Sequence, residues 1–230
     1  MLNQSKHRSI LLSILKDIYS DSEISPQIGF KGGTAAFLFY DLTRFSMDLD
    51  FDLLDKNFEH AVFEKVKKIA GKYGQIKDAQ KKFFTLFFVV SYGKEDRNVK
   101  VEISRRTKDS RYEIKQFLGI PMLVMIQKDM CTNKLLAMSE QMNRLSRDIY
   151  DVWFFLSKMW PINKGIVEDR SKKKLPNFLL DLANQLDKLP ENQILEGMGE
   201  LLDEKQKLWV KNSLKKETIF QLRLRAHVEE

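Results

Sequence analysis

Residues 47–54 read MDLDFDLL, an unbroken alternation of apolar and acidic side chains. Successive side chains of a β-strand point to opposite faces, so this alternation predicts a half-buried strand. Asp48, Asp50 and Asp52 share its acidic face, and the four apolar residues share the face that packs on the core. The pattern therefore predicts a sheet that carries a row of carboxylates.

The segments on either side of this strand predict further strands and helices. Before it, residues 27–31 form a short buried strand, and Gly32-Gly33-Thr34 opens a helix that ends near Tyr40. After it, residues 57–73 have the spacing of an amphipathic helix. Two segments rich in aromatic and β-branched residues, joined by the turn-rich YGKEDR, predict a hairpin. These two strands cover residues 82–91 and 98–104.

From Pro121 onward the apolar residues follow mostly helical periodicity. The helical segments are residues 121–139, 146–159, 176–188 and a long charged segment at 190–225. We therefore place a boundary near residues 119–121, with domains at residues 1–120 and 121–230. The expected fold class is α+β: a mixed sheet flanked by helices, followed by a helical domain.

The composition is that of a globular chain, because 43% of the 230 residues are hydrophobic and 11% are aromatic. A single cysteine, Cys131, cannot form an internal disulfide and favours a reducing, cytoplasmic compartment. Lys16 and Asp17 interrupt the apolar N-terminal segment, which argues against a signal peptide. No window is long and apolar enough to cross a bilayer, so we expect a soluble, cytoplasmic protein without a membrane partner.

The net charge is +7, from 39 lysines and arginines against 32 aspartates and glutamates. This excess favours encounter with a polyanion, although a basic solvated face without a nucleic-acid role is the alternative. The three histidines, His7, His60 and His227, are scattered along the chain and predict no zinc site.

Asp48 and Asp50 are the first candidates for chemistry. Residues i and i+2 of a strand point to the same face with their Cα atoms about 6.5 Å apart, and two carboxylates so placed repel each other unless a cation lies between them. Mg²⁺ accepts one or two such carboxylates together with substrate phosphates. Glu102 adds a third carboxylate if its strand is a neighbour, and three carboxylates can hold two metal ions. The alternative is that all three are ordinary exposed strand residues.

Gly32 and Gly33 are candidates for binding a phosphate group. Glycines between a strand and a helix let backbone N–H groups approach a phosphate, and the helix N-terminus favours its negative charge. Arg44 and Ser46 lie just before Asp48 and would add a charged and a hydroxyl contact to the same phosphates. A plain tight turn and a solvated polar loop are the alternatives.

A second polar group lies in the predicted helical domain. Lys134 falls on the helix at 121–139, and Arg147, Asp148 and Asp151 fall at the start of the next helix. The two aspartates are three residues apart and share a helix face. The alternatives are aspartates that complement the helix dipole and a solvated lysine.

Together these motifs resemble the AbiEii/AbiGii toxin group, which consists of nucleotidyltransferases of the DNA polymerase β superfamily. The resemblance is carried by KGGTAA at 31–36 and DLTRFSMDLDFD at 41–52, and further along by KLLAM at 134–138 and RDIYDVW at 147–153. It covers roughly residues 28–156. The order and spacing of the motifs make it specific, although each motif alone is weak.

The resemblance implies a polymerase β-like nucleotidyltransferase domain and a role for each motif. The implied catalytic and metal-binding residues are Asp48, Asp50 and Glu102. The implied nucleotide-binding residues are Gly32, Gly33, Arg44, Ser46, Lys134, Arg147, Asp148 and Asp151. The implied cofactor is Mg²⁺, with Mn²⁺ as the alternative metal, and the implied substrate is an NTP. The helical domain would complete the cleft for nucleotide and acceptor.

The implied reaction moves NMP from an NTP to an acceptor hydroxyl, and we expect a tRNA-like RNA as the acceptor. The group acts in toxin–antitoxin and phage-defence (abortive infection) systems, which implies a cognate antitoxin. The basic residues that would suit RNA are Arg105, Arg106, Lys108, Arg111 and Lys172, Lys173 and Lys174. Two alternatives stay open: an acceptor that is a protein or a small molecule, and a nucleotide-binding module without turnover.

Overall fold

The structure, a computed structural model, describes residues 3–93, 96–106, 109–140 and 146–229. The chain divides into two compact units, Met1–Ile126 and Gln127–Glu230. The first unit contains a mixed sheet with flanking helices, and the second is built of helices. The α+β fold class expected from the sequence is therefore confirmed.

The sheet of the first unit has seven strands in the described residues. They are β1 (Ile28–Lys31), β2 (Asp48–Leu53), β3 (Gln75–Lys81), β4 (Thr85–Ser91), β5 (Val99–Ser104), β6 (Tyr112–Phe117) and β7 (Ile120–Met125). Their order is β3-β4-β5-β2-β1-β7-β6. The pairs β2–β5 and β1–β7 are parallel and the other pairs are antiparallel. The predicted hairpin of two strands is the β4–β5 pair.

Three helices accompany the sheet in the described part of this unit: α1 (Gln4–Ser20), α2 (Gly32–Phe39) and α3 (Glu59–Gly71). Asn3 caps helix α1: its side chain accepts the backbone N–H of Lys6 at 3.0 Å and so satisfies one unpaired donor of the first turn. Its apolar residues recur every three or four positions, which places one face of the helix in the core. Those core residues include Leu11, Ile14, Leu15 and Ile18.

The core lies on one face of β2 and β5. Leu49 and Phe51 on β2 and Val101 and Ile103 on β5 are fully buried. The residues between them point to the opposite face, as the alternation of strand side chains requires. The sequence pattern of residues 47–54 therefore predicts this strand and its two faces correctly.

The helix expected to begin at Pro121 is wrong in its first part, because residues 120–125 form β7. Leu118 and Gly119 both have positive φ, +50° and +79°, as a two-residue turn between antiparallel strands requires. Strand β7 then pairs with β1 on its other side, at Phe30↔Val124. A short run that is apolar on both faces has no alternation of polar and apolar residues, so periodicity does not separate it from a buried helix. The division between the units accordingly follows Ile126.

The helices of the second unit, within the described residues, are α4 (Gln127–Glu140), α5 (Ser146–Ser157), α6 (Lys164–Ser171), α7 (Leu175–Asp187), α8 (Glu204–Trp209) and α9 (Lys215–Val228). The single helical segment expected at 190–225 is wrong in its first part, whereas residues 204–225 are helical as expected. Gly197 has a φ of +72°, and Asp203 caps a new helix by accepting the backbone N–H of Gln206 at 2.8 Å. Val210–Leu214 then forms a π-helical segment before α9.

Cys131 is buried with a free thiol, and burial raises its pKa to about 12. Within the residues described, no helix has the length and hydrophobicity that crossing a lipid bilayer requires.

Candidate active site

Three carboxylates share one face of two adjacent parallel strands. Strand β2 lies beside β5 with Asp50 opposite Glu102 and with Asp48 opposite Lys100. Residues opposite one another in a sheet point to the same side, so Glu102 lies on the face of Asp48 and Asp50. The neighbouring strands that the sequence predicted are therefore present, and the catalytic role of the three residues stays a prediction.

The pKa of Glu102 responds to burial and to the charges of its neighbours. Burial raises the pKa of the Glu102 carboxyl, and the negative charge of Asp48 raises it further. The ammonium groups of Lys100, Lys82 and Lys31 act in the opposite direction. No pattern in the sequence marks Lys82 or Lys100 as a site residue, whereas Lys31 begins the KGGT motif.

The glycine turn lies directly against Asp50. Gly32 has a φ of +77°, which a residue with a Cβ rarely adopts. A Cβ built on Gly32 would lie 2.8 Å from the Cβ of Asp50 and nearer still to its carboxylate. The absence of a side chain at residue 32 is therefore what lets the acidic strand approach the start of α2.

Gly33 makes an equally close approach to Arg44 and Ser46. A Cβ on Gly33 would lie 2.7 Å from Nη2 of Arg44 and 2.9 Å from Oγ of Ser46. Both side chains are buried, and Nη1 of Arg44 donates to the carbonyl of Phe45 at 3.0 Å. The alternative of a solvated polar loop is wrong, because the turn, the guanidinium and the hydroxyl pack together.

The start of β2 is held from two sides. The Thr34 hydroxyl donates to the carbonyl of Asp48 at 2.5 Å. His7 is fully buried, and its Nε2 donates to the carbonyl of Met47 at 2.8 Å while its Nδ1 is hydrogen-bonded to the Tyr92 hydroxyl at 2.7 Å. These contacts fix the backbone next to the first carboxylate. His7 belonged to a scattered set of histidines in the sequence, which carries no signal for this contact.

Asp52, the third aspartate of β2, takes part in contacts that join neighbouring strands. It is buried, forms an ion pair with Lys31 at 2.5 Å and accepts the Tyr112 hydroxyl at 2.5 Å. Buried carboxylates of this kind need such partners, so Asp52 joins β1, β2 and β6 rather than extending the open acidic face.

The three carboxylates suit a divalent cation both in the type of ligand atom and in their positions on β2 and β5. Carboxylate oxygens are hard ligands that Mg²⁺ accepts, and Asp48, Asp50 and Glu102 occupy neighbouring positions on one face. Among the described residues, however, no three acidic, histidine or cysteine side chains converge into a group that could hold a metal ion. The three residues therefore fit Mg²⁺ by type and position, without forming a closed cage.

The residues predicted in the helical part form their own cluster inside the second unit. Lys134 on α4 forms ion pairs with Asp148 at 2.7 Å and with Asp151 at 3.1 Å, both on α5. The side chain of Asp151 is 0% exposed and that of Lys134 is 18% exposed. The prediction that the two aspartates share a helix face is confirmed, and the alternative of a solvated lysine is wrong. Arg147 lies half-buried beside them on α5.

The basic residues proposed to meet RNA are distributed over both units. Arg106 and Arg111 are exposed in the first unit, and Lys172, Lys173 and Lys174 are exposed in the second. Arg105 is half-buried. Lys108 lies outside the described residues.

Comparison with known proteins identifies the family. Residues 13–211 match the family model described as nucleotidyl transferase AbiEii toxin of a type IV toxin–antitoxin system. Two crystal structures from Helicobacter pylori share the fold. The first, a proposed nucleotidyltransferase, is 23% identical with a TM-score of 0.60, and the match covers 97% of this chain and 92% of that one.

The second structure is JHP933, 22% identical with a TM-score of 0.58, and the match covers 99% of this chain and 97% of that one. No protein of curated function matches the chain in sequence. The match to the family model spans most of the 230 residues and includes every motif described above. The chain therefore belongs to the AbiEii nucleotidyl transferase toxin family.

Proposed function

We propose that this protein transfers NMP from an NTP to a hydroxyl group of RNA, with Mg²⁺ as the required metal ion. The observation that carries the proposal is the position of Asp48, Asp50 and Glu102 on one face of β2 and β5, with Asp50 against the Gly32 turn. Membership in a nucleotidyl transferase family supports the same chemistry.

Each residue of the site has a role in this proposal. Asp48, Asp50 and Glu102 hold the metal ions, and Mn²⁺ is the metal that would substitute. Bound metal would neutralise the phosphates and stabilise charge on the attacking and leaving oxygens. The backbone at Gly32 and Gly33 lines the triphosphate, and the buried Arg44 and Ser46 beside it supply a positive charge and a hydroxyl donor. In the family pattern, Lys134, Arg147, Asp148 and Asp151 belong to nucleotide binding.

The reaction forms one bond and breaks one. The acceptor oxygen attacks the α-phosphorus of the NTP, and the bond from that phosphorus to the oxygen bridging the α- and β-phosphates breaks. Pyrophosphate leaves with the electron pair of the broken bond. The acceptor hydroxyl loses its proton, and we assign Glu102 as the carboxylate that receives it, because burial and the charge of Asp48 raise the pKa of its carboxyl.

RNA is the favoured acceptor because the chain is basic and carries exposed arginines and lysines in both units. A tRNA-like RNA fits the polymerase β-like chemistry that the sequence motifs imply. The family name implies a cognate antitoxin. We therefore infer a toxin of a toxin–antitoxin or phage-defence system that acts in the cytoplasm.

The direct test incubates the protein with each α-labelled NTP, Mg²⁺ and total RNA, and follows label in RNA and release of pyrophosphate. We expect wild type and Asp169→Asn to label RNA, because the Asp169 side chain is 75% exposed and outside the acidic face. Asp48→Asn and Asp50→Asn should label at least a hundredfold less. Equal labelling by Asp48→Asn and Asp169→Asn would overturn the assignment.

The same experiment separates the alternatives. Label in protein bands or in a small product, with RNA untouched, would move the acceptor to a protein or a small molecule such as an antibiotic. NTP binding without release of pyrophosphate under any condition would favour a nucleotide-binding module. The carboxylates at all three positions argue against that module, because binding alone has less need of them.

A further inference from the structure

A second concave site lies in the first unit, beyond the end of β5. It has a volume of about 420 Å³ and is lined by Lys56, Glu59, Phe83, Phe84, Arg105 and Arg106. Nothing proposed above for the nucleotide or the metal uses these residues. Three of the six are cationic and one is acidic, so the lining favours an anionic ligand.

Phe83 is the most unusual residue of this pocket because it is 84% exposed. It contacts Phe84 with the two rings nearly perpendicular and their centroids 4.5 Å apart, and its exposure leaves most of the Phe83 ring accessible to a ligand. Core packing does not account for the position of a ring with so little buried area. A flat aromatic face beside cationic side chains is the surface on which unpaired bases of single-stranded nucleic acids stack.

The two arginines differ in how they are held. Arg105 forms an ion pair with Glu59 at 2.8 Å and donates to the carbonyl of Lys82 at 2.8 Å, so it is a fixed wall of the pocket. The guanidinium of Arg106 lies 4.4 Å from the ring centroid of Phe84 and is exposed. Arg106 is therefore the cation placed to reach a phosphate next to a base on Phe83.

The open end of the β4–β5 hairpin contributes four of the pocket residues, and the same hairpin carries Glu102. Glu102 lies opposite Phe87 on β4, and the ammonium of Lys82 lies 3.6 Å from the centroid of the Phe87 ring. Arg106 follows Glu102 by four residues, so their Cα atoms are at most about 14 Å apart. An RNA strand of a few nucleotides covers that distance.

We propose that this pocket binds an unpaired nucleobase of a single-stranded RNA acceptor, stacked on Phe83 with its phosphate held by Arg106. The proposal rests on RNA being the acceptor of the transfer reaction. It adds a binding site that holds the acceptor strand while its hydroxyl reaches the carboxylates. A double-stranded acceptor would not use this site, because its bases are already stacked.

Binding is measured with the full chain and a 5′-fluorescein-labelled single-stranded RNA decamer by fluorescence anisotropy, without NTP. Base stacking on an aromatic side chain predicts that Phe83→Ala raises the Kd about 5- to 150-fold. Phe83→Trp should restore binding. Phe220→Ala is the matched control, since Phe220 is 59% exposed on α9 in the second unit. Arg106→Gln should weaken binding and reduce the slope of log K against log salt by about 1.

The transfer assay separates this inference from the proposed function. If RNA is labelled and Phe83→Ala raises the KM for RNA while kcat and the KM for NTP stay unchanged, both proposals stand. If Phe83→Ala binds and labels RNA as well as Phe220→Ala does, the base-binding role of the pocket is wrong. The proposed transfer reaction is then unaffected. RNA binding that depends on Phe83, without any transfer to RNA, would overturn the proposed reaction and the acceptor role of the pocket, and would leave only a site that binds single-stranded RNA. If the wild-type protein binds no single-stranded RNA, the proposed base-binding site is wrong.

Discussion

Substitution of Gly32 by alanine tests whether the glycine turn sets the position of Asp50. The φ of +77° at residue 32 is a left-handed conformation, which costs a residue with a Cβ about 1–2 kcal/mol. At about 2–4 °C per kcal/mol for a chain of this size, the Tm should fall by about 2–8 °C. This loss is measurable by thermal unfolding followed by circular dichroism.

The added methyl group also pushes on the acidic strand. It would lie 2.8 Å from the Cβ of Asp50, whereas ordinary contacts begin at 3.4 Å, so the two segments must separate by about 0.6 Å. Rotation of the Asp50 side chain does not relieve this contact, because its Cβ is fixed by the backbone of β2. Since a displacement of about 1 Å at a reacting centre can cost about a hundredfold in rate, we expect kcat/KM for nucleotide transfer to fall about 10- to 100-fold.

Gly119→Ala is the matched control. Gly119 has nearly the same φ, +79°, but a Cβ there meets no described atom within 4 Å. It should therefore lose the Tm that the positive φ alone costs, and no more than Gly32→Ala loses, while transferring nucleotide at the wild-type rate. If Gly32→Ala is as active as Gly119→Ala, then the close approach of Asp50 to the turn has no part in the reaction.

Three further substitutions have expected outcomes. Burial and Asp48 raise the pKa of Glu102, so its ionisation destabilises the fold as pH rises above 4.5, its unperturbed value. In EDTA, Glu102→Gln should thus have a higher Tm than wild type at pH 7 and an equal Tm near pH 4; a lower Tm at pH 7 would contradict the electrostatics. Lys134→Met removes a partner of the fully buried Asp151. It should lower the free energy of unfolding, measured by urea denaturation, by about 3–5 kcal/mol. His7→Leu leaves the Met47 carbonyl without its donor and should cost about 1–3 kcal/mol, with His7→Gln recovering part; equal stability of the two variants would show that the hydrogen bond contributes little.

Local patterns were sufficient to predict the parts of the fold that position the site. The alternation in residues 47–54 predicted β2 and its two faces, because a side-chain period of two has only one regular explanation. The glycine pair at 32–33 predicted the turn into α2. The position of Glu102 beside Asp50 depended on β5 being a neighbour of β2, an arrangement that the sequence motifs implied through the family resemblance.

The features that the sequence did not predict depend on contacts between distant residues. Strand β7 is apolar on both faces, and its pairing with β1 and β6 is what makes it a strand. The contact of His7 with Met47 joins residues 40 positions apart. Phe83 was assigned to a strand from its aromatic character, whereas β4 begins at Thr85 and leaves Phe83 exposed on the turn. Propensity does not reveal such exposure.

The shared face of Asp48, Asp50 and Glu102 has a consequence for mutational tolerance. A slip of β2 by one residue against β5 would turn Asp48 and Asp50 into the core, away from Glu102, and bring Leu49 and Phe51 out to water. Insertion or deletion of a single residue inside β2 would therefore disrupt the fold and the candidate site together. Homologues should vary in length in the loops around β2 and keep the strand itself at constant length.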